Sequence, residues 1–468
     1  MMDPRGMTYH FARWARGLAS SDVPDAVHAI AHRAMLDTLG VTIAGGAHPD
    51  IKRLAEIWPA PRGVCGLVTG GTTSAETAAL INGSAAHFWD FDDTSYTGIM
   101  HGSAIVYPVV IALAQETDAS EEEARTAFII GSEIAYALAD ICTQRHYFHG
   151  WWSTVTFGLV GAAAAAARLL GCSEENMAQA IGLAAAAAGG GKSVFGTHAK
   201  PFLAGEAGQR AVSFARFTAG NLTGPTSGFH GETGFLHLLN GDVEQPDEGE
   251  TLGVRWRLAN PGLLVKRNPV CSAAQAAIEE VARLTFETGL STGSIDTIFL
   301  EVPNLVRISL VHDTPVTPSE AQFSLPFAGA CAVRFGAVRL EDLNHSSLQS
   351  TEMGSLMERV QISVAKDLSI EDMCKRYPES ARVRIVLNDA SEREGFCGEA
   401  YGMPGRSLSD ADFLHKFHEC LTFAGRNADV QDITGENLLH LTADLFDQSA
   451  EGLTKHTLSR RGAYSQRR

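Results

Sequence analysis

Apolar side chains recur at helical spacing between residues 25 and 45 (Val27, Ile30, Ala31, Ala34, Met35, Leu39), and the run stops at a glycine pair. That pattern predicts an amphipathic helix. Gly, Pro and Thr crowd residues 59–73 and predict a loop. An apolar, alanine-rich run follows from Ala78 to Ala86, with Thr73 and Glu76 spaced as a capping box at its start. Another apolar run spans Ala104–Ala114, and Ser120 with Glu123 forms a second capping box opening a helix through Ile141. Between Val155 and Gly191 lie GLVGAAAAAARLLG and MAQAIGLAAAAAGGG, joined by Cys172–Asn176. Side chains this small let helices approach closely, so the pair is expected at the centre of an all-α domain.

Around residue 265 the period changes. Ile298, Leu300 and Val302, then Val360, Ile362 and Val364, then Val383, Ile385 and Leu387 alternate as strands do, with helical spacing at Ala273–Leu284 and Pro326–Phe335. Past Gly402, Pro404 and Gly405 the spacing is helical again (Phe413, Phe417, Cys420, Leu421, then Leu438–Leu445). The expected fold is mainly α: an all-α domain over 1–264, a smaller α+β domain over 265–400, and C-terminal helices over 401–468 rejoining the first.

One stretch stands out chemically. NGSAAHFWDFDDTSYTGIMHGS, residues 82–103, carries His87, Asp90, Asp92, Asp93, Thr94 and His101 in a loop between two apolar helices. Imidazoles and carboxylates held in so water-poor a place exchange protons with shifted pKa values. Plainer readings compete: His87 as a packing histidine, and Asp92 and Asp93 as caps of the next turn. His87, Asp90 and His101 also compose a possible metal set, which chelator sensitivity would expose. Asp90-Phe91-Asp92-Asp93 imitates the DxDD string of all-α terpene cyclases, a reading that requires an aromatic-lined cavity. Gly189-Gly190-Gly191-Lys192-Ser193 imitates the end of a phosphate loop, but an alanine-rich helix rather than a strand precedes it.

Composition narrows the partners. Against 37 Lys and Arg stand 54 Asp and Glu, a formal charge of −17 with the basic residues unclustered before the tail Arg460, Arg461, Arg467, Arg468, so nucleic acid is not an expected partner. The eight cysteines lie far apart, without CxxC or zinc spacing, and read as free thiols. The N-terminus has no apolar signal core, and Val155–Leu170, the longest membrane candidate, is mostly Ala and Gly with Arg168 inside. A cytoplasmic protein with no membrane partner is the expectation.

Four segments carry a resemblance to the MmgE/PrpD family: NGSAAHFWDFDDT with the later HGS (82–103), GTHAKPFLAGEAGQRA (196–211), KRNPVCSAAQAAIEE (266–280) and EAQFSLPFAGACAV (320–333). Weaker echoes at Leu36–Gly40 and in PGRSLSDADFLHKFHEC (404–420) extend it over nearly the whole chain. The resemblance implies a large all-α domain plus a smaller α+β domain, a homodimer, no metal and no organic cofactor. It also implies a small anionic carboxylate substrate and proton-transfer chemistry beside a carboxylate, of dehydratase, decarboxylase or epimerase type. Asp90, Thr94, His101, Lys200 and Lys266 match the family's active-site positions. Their chemistry suggests roles: Lys200 and Lys266 bind carboxylates and stabilise an enolate-like intermediate, Asp90 and His101 exchange protons, and Thr94 donates a hydrogen bond. The chain departs from the decarboxylase-like pattern at three places, with Trp152 and Cys271 where that pattern has His and Phe323 where it has Tyr. Trp152 and Cys271 are then expected to line the substrate site, as is His149, which reaches the face of Trp152 if the segment is helical. The competing functional reading is a carboxylate-binding or scaffolding protein without catalysis.

Overall fold

The computed structural model describes residues 5–241, 251–286, 289–431 and 437–447. Its helical part comprises α1 (Met7–Gly17), α2 (Asp25–Gly46), α3 (Ala75–Ala86), α4 (Ser103–Thr117), α5 (Glu121–Cys142), α6 (Ser153–Leu169), α7 (Glu174–Ala187) and α8 (Ala199–Ala219). Ser120 and Glu123 cap α5 reciprocally, as their spacing predicts. The Thr73–Glu76 box does not form. The Thr73 hydroxyl bonds the Pro61 carbonyl at 3.0 Å, and Ser74 caps α3 by accepting from the Thr77 amide.

Glycine sets the closest helix crossings. A Cβ on Gly161 of α6 would stand 2.1 Å from the Gly131 carbonyl oxygen of α5, and one on Gly205 of α8 would stand 2.1 Å from the Leu80 carbonyl oxygen of α3. The second crossing positions the chemistry. Lys200 lies in the first turn of α8 and His87 just past the end of α3, so backbones in contact at Gly83 and Gly205 bring the two side chains together. Gly205→Ala is therefore expected to lower stability by about 1–3 kcal/mol and to weaken activity by parting Lys200 from His87. Denaturant melts checked against turnover test this, and an unchanged midpoint would show the crossing to be loose.

Two short strands, β1 (Thr94–Ser95) and β2 (Leu263–Leu264), pair antiparallel with Thr94 opposite Leu264. That ladder lays the segment leading into Lys266 beside the acidic loop. The α+β part holds α9 (Gln275–Phe286), β3 (Ile295–Val302), α10 (Leu325–Phe335), β4 (Val360–Val364), β5 (Ala381–Leu387) and β6 (Glu392–Cys397). The sheet order is β4-β3-β5-β6, with β3 parallel to β4 and the other pairs antiparallel. Ile298, Leu300 and Val302 are fully buried, the face their alternation predicts. Strand β6 escapes the pattern because its sequence, EREGFC, is a polar, exposed edge. Helices α9 and α10 pack on each other and on the sheet.

Past the sheet, α11 (Asp410–Phe423) packs on α2, and α12 (Leu438–Asp447) touches α2 and α4. The fold is thus mainly α with a smaller α+β part. The rest of the expected C-terminal segment, including the arginine tail, lies outside the described residues. Among the described residues no helix is long and apolar enough to cross a membrane.

Candidate active site

The acidic loop leaves α3 at His87 and closes with a tight reversal, Ser95 bridging Met100, before α4 begins at Ser103. Asp90 adopts a left-handed backbone (φ 48°), as does the β-branched Ile99 (φ 57°), so surrounding contacts hold this loop in conformations such residues rarely take. Asp90 is held by Lys200 and Lys266, and Ile99 packs with Tyr147 and Leu305.

Five of the expected residues meet. Lys200 Nζ donates to Asp90 Oδ1 at 2.8 Å and to His87 Nε2. Lys266 Nζ donates to the Asp90 carbonyl at 2.7 Å and lies 3.4 Å from Asp90 Oδ1. His101 Nδ1 is 2.8 Å from the Asp93 carbonyl oxygen and 3.2 Å from Thr94 Oγ1, and its Nε2 is 3.8 Å from Asp90 Oδ1. The cluster is nearly closed to solvent: Lys266 and Asp90 side chains are 0% and 1% exposed, while that of His101 is 11% exposed.

The partners assign the protons. An ammonium has only hydrogens to give, so His87 Nε2 accepts from Lys200 and its Nδ1–H donates to Asp92 Oδ2 at 2.8 Å. A carbonyl oxygen only accepts, so His101 carries its proton on Nδ1 toward Asp93 and leaves Nε2 with a free lone pair. Burial, with the Lys266 charge beside it, pushes His101 down to about 3 against the pull of Asp92 and Asp90. Burial likewise lowers His87, opposed by Asp92. Burial would raise Asp90, but Lys200 and Lys266 together hold it well below the usual carboxylate range. Burial would also lower Lys266, yet Asp90 and Asp92 raise it, so it stays an ammonium. The arrangement is a neutral imidazole with an open nitrogen, facing a carboxylate clamped by two fixed cations.

Asp92 and Asp93 are network members, a correction to their reading as turn caps. Asp92 orients His87, and Asp93 Oδ2 accepts from the Ser103 hydroxyl. Burial pushes Asp93 up to about 8 against that hydrogen bond, with Asp37 and Asp92 adding to the rise. A carboxyl whose folded value exceeds its unfolded one stabilises fully below the unfolded value and loses that contribution as pH rises through the folded one. Asp93→Asn is expected to flatten the fall in stability between about pH 4 and pH 8, by on the order of a few kcal/mol. Unfolding free energies of both proteins at acidic and alkaline pH check it; parallel profiles would contradict it.

Trp152 joins the cluster as a wall. Its ring stacks on His87 with centroids 5.4 Å apart, and Lys200 Nζ lies 5.2 Å from the centroids of both Trp152 and Phe323 and 5.6 Å from that of Phe195. Cys271 is buried beside Lys266, and burial pushes its thiol up to about 12, so it is neutral. His149 is not brought to the cluster. The chain turns at Gly150 (φ 100°) between the short helix Arg145–Phe148 and α6, leaving His149 exposed and bonded to Arg145.

Several members gave no sequence signal. Thr154 Oγ1 accepts the His101 amide at 3.1 Å. Glu379, from the segment before β5, accepts from Tyr96 in the acidic loop and from Ser272, each at 2.8 Å. Burial pushes Glu379 up to about 7, opposed by those hydroxyls and Lys266. Lys416 of α11 donates to the Phe91 carbonyl at 2.9 Å and pairs with Asp37 of α2 at 2.7 Å.

Donor atoms of His87, Asp90, Asp92 and His101 lie within 4.8 Å of one another, the spacing of a metal set. Lys200 already occupies His87 Nε2 and Asp90 Oδ1, so a cation there would have to displace an ammonium from both. In the DxDD string Asp90 is held ionised by the lysines and Asp92 is lowered by His87 and His101 against its burial, so neither holds a proton to give an alkene, while Asp93, pushed up to about 8, keeps its proton but is engaged with the Ser103 hydroxyl.

Fold and cluster together define a mainly helical, two-part protein with a buried acid–base site. Residues 9–246 match the MmgE/PrpD N-terminal domain and residues 269–439 the MmgE/PrpD C-terminal domain, and the chain belongs to the MmgE/PrpD family. Its curated relatives include the cis-aconitate decarboxylase of Homo sapiens, 24% identical over 431 residues (88% of this chain, 87% of the relative). The cis-aconitate decarboxylase-like protein oryM of Aspergillus oryzae is 24% identical over 389 residues (76% and 79%). The cis-aconitate decarboxylase of Aspergillus terreus is 22% identical over 453 residues (91% and 90%).

Proposed function

We propose that this protein is a cofactor-independent lyase or isomerase that takes or delivers a proton alpha to a carboxylate of a small di- or tricarboxylic acid. The observation that carries the reading is the unprotonated His101 Nε2 beside Asp90 and its two lysines. Carbon acids next to a carboxylate resist ionisation because the product gathers charge on oxygen. Two buried ammoniums stabilise that charge, and an imidazole held neutral at working pH accepts the proton. A substrate carboxylate takes the place of the Asp90 carboxylate on Lys200 or Lys266. His101 then receives the alpha proton, and Asp92, 3.5 Å from Nδ1, stabilises the imidazolium. Lys200 is a proton donor of the right kind for the return step, with His87 behind it.

Relatives named for cis-aconitate decarboxylation support an enzyme acting on a carboxylic acid. The particular reaction does not transfer with them. Trp152 and Phe323 have no acid–base group that exchanges a proton in the working pH range, and the Cys271 thiol is pushed up to about 12. Fewer acid groups suit an acid other than cis-aconitate, or an epimerisation in which nothing leaves.

The test is a panel of small di- and tricarboxylic acids incubated with wild type and with Lys200→Met, products identified by mass spectrometry and NMR. Turnover of one acid by the wild type alone supports the reading and names the reaction. Thermal protection by an acid that is never converted would favour the non-catalytic, carboxylate-binding alternative.

A further inference from the structure

The cluster has a charge problem. Lys200 and Lys266 are matched by Asp90 and Asp92, and both imidazoles are neutral, so a substrate with two carboxylates needs another cation. One stands beside the site. Lys192, the one basic residue of the Gly189-Gly190-Gly191-Lys192-Ser193 string, is half-buried in a short turn (Lys192–Val194). Its Nζ lies 3.8 Å from the centroid of the Tyr147 ring, and among the described residues it has no carboxylate partner. By contrast, every other buried lysine described (Lys200, Lys266, Lys416) is paired with an aspartate.

Two connections tie Lys192 to the site. Its amide donates to the Gly150 carbonyl at 2.9 Å and Gly191 bridges Trp151, so the turn is stitched to the segment carrying Trp152. Three residues on, Phe195 stacks on Phe323 at 5.1 Å and meets Trp152 edge-on, closing the ring wall around Lys200. Tyr147, on whose face Lys192 rests, feels the same cluster: burial raises its phenol, and the Asp90 charge adds to that against its hydrogen bond with Ser309. An ammonium over an aromatic face is partly stabilised and stays short of an anion. Burial alone pushes Lys192 down to about 8, so a bound carboxylate relieves it.

We infer that Lys192 is a substrate-binding residue: its ammonium, half-buried on the Tyr147 ring without a protein carboxylate, receives the second carboxylate of a dianionic acid whose first lies at Lys200 and Lys266. This rests on the reading of the site given above. The remote carboxylate is bound alike in substrate and transition state, so Lys192 governs KM and the preference for diacids over monoacids rather than the chemical step.

The test compares wild type, Lys192→Met and Lys192→Arg on the dicarboxylic acid the enzyme turns over and on its analogue with the remote carboxylate replaced by methyl. Losing a charged hydrogen bond of this kind raises KM about 10–100-fold. Lys192→Met should show that rise for the diacid with kcat within about twofold, lose most of its preference over the monoacid, and recover with Arg. Unchanged KM and preference in Lys192→Met would overturn the inference. Binding is read separately as the rise in Tm that each acid gives each protein. Protection of wild type without turnover defeats the enzymatic reading but still decides Lys192, because equal protection of Lys192→Met overturns it and lost protection supports it. If no acid protects or reacts, both fall.

Discussion

His101→Gln is expected to slow turnover by about 10²–10⁴-fold while leaving the fold intact. The side chain touches solvent, and among the described residues its hydrogen-bond partners are the Asp93 carbonyl and the Thr94 hydroxyl, to which a glutamine amide can still donate. What glutamine lacks is the basic lone pair near Asp90. The loss should fall on kcat, since the base acts only in the transition state. Because His101 is pushed down to about 3, the free wild-type enzyme should keep this base unprotonated far below the ordinary histidine range. A pH profile of kcat/KM checks that; an acid limb near pH 6.5 that vanishes in His101→Gln would show a histidine with no such shift. Activity retained within about threefold in the variant would move the base elsewhere, most directly to Asp90.

The second large effect is on stability. Lys416→Met should destabilise the protein by about 3–5 kcal/mol, because it strands a buried Asp37. Lys416 and Asp37 are 4% and 3% exposed, and burial already raises the Asp37 carboxyl against the pull of Lys416. The same ammonium holds the Phe91 carbonyl, between Asp90 and Asp92, so activity should fall with stability. Adding Asp37→Asn removes the stranded charge and should recover part of the stability but little of the activity. Urea titrations of the single and double variants measure this. Equal stability of Lys416→Met and wild type would mean that the loop does not depend on the C-terminal helix.

Much of this was legible in the chain because the relevant signals are local. Helical and strand periods locate α2, α4 to α7, α9, α10 and three of the four sheet strands, because the spacing of apolar residues is a local signal; β3 and β5 bury the face their alternation defines, whereas β4 is only partly covered and leaves Val364 exposed. The acidic loop stands out by its density of His and Asp. Lys200 and Lys266 came from matched motifs, because nothing local distinguishes a buried lysine from a surface one. Support residues were silent for the same reason: Glu379 meets Tyr96 across 283 positions and Lys416 meets Phe91 across 325. His149 misled because i, i+3 reasoning assumes a continuous helix, and Gly150 ends it. Asp92 and Asp93 look like caps because short acids before a turn usually are; in the structure they are buried members of a hydrogen-bond network with His87 and Ser103 instead.

The central claim is that His101 moves a proton alpha to a carboxylate while Lys200 and Lys266 hold the resulting charge. Proton NMR in deuterium oxide, following the alpha position of the acid that wild type turns over, tests it most directly. Deuterium entering that carbon with wild type, and about 10²-fold more slowly or not at all with His101→Gln, is the predicted result. Conversion of the acid with no solvent deuterium at the alpha carbon, or equal labelling by wild type and His101→Gln, would contradict it.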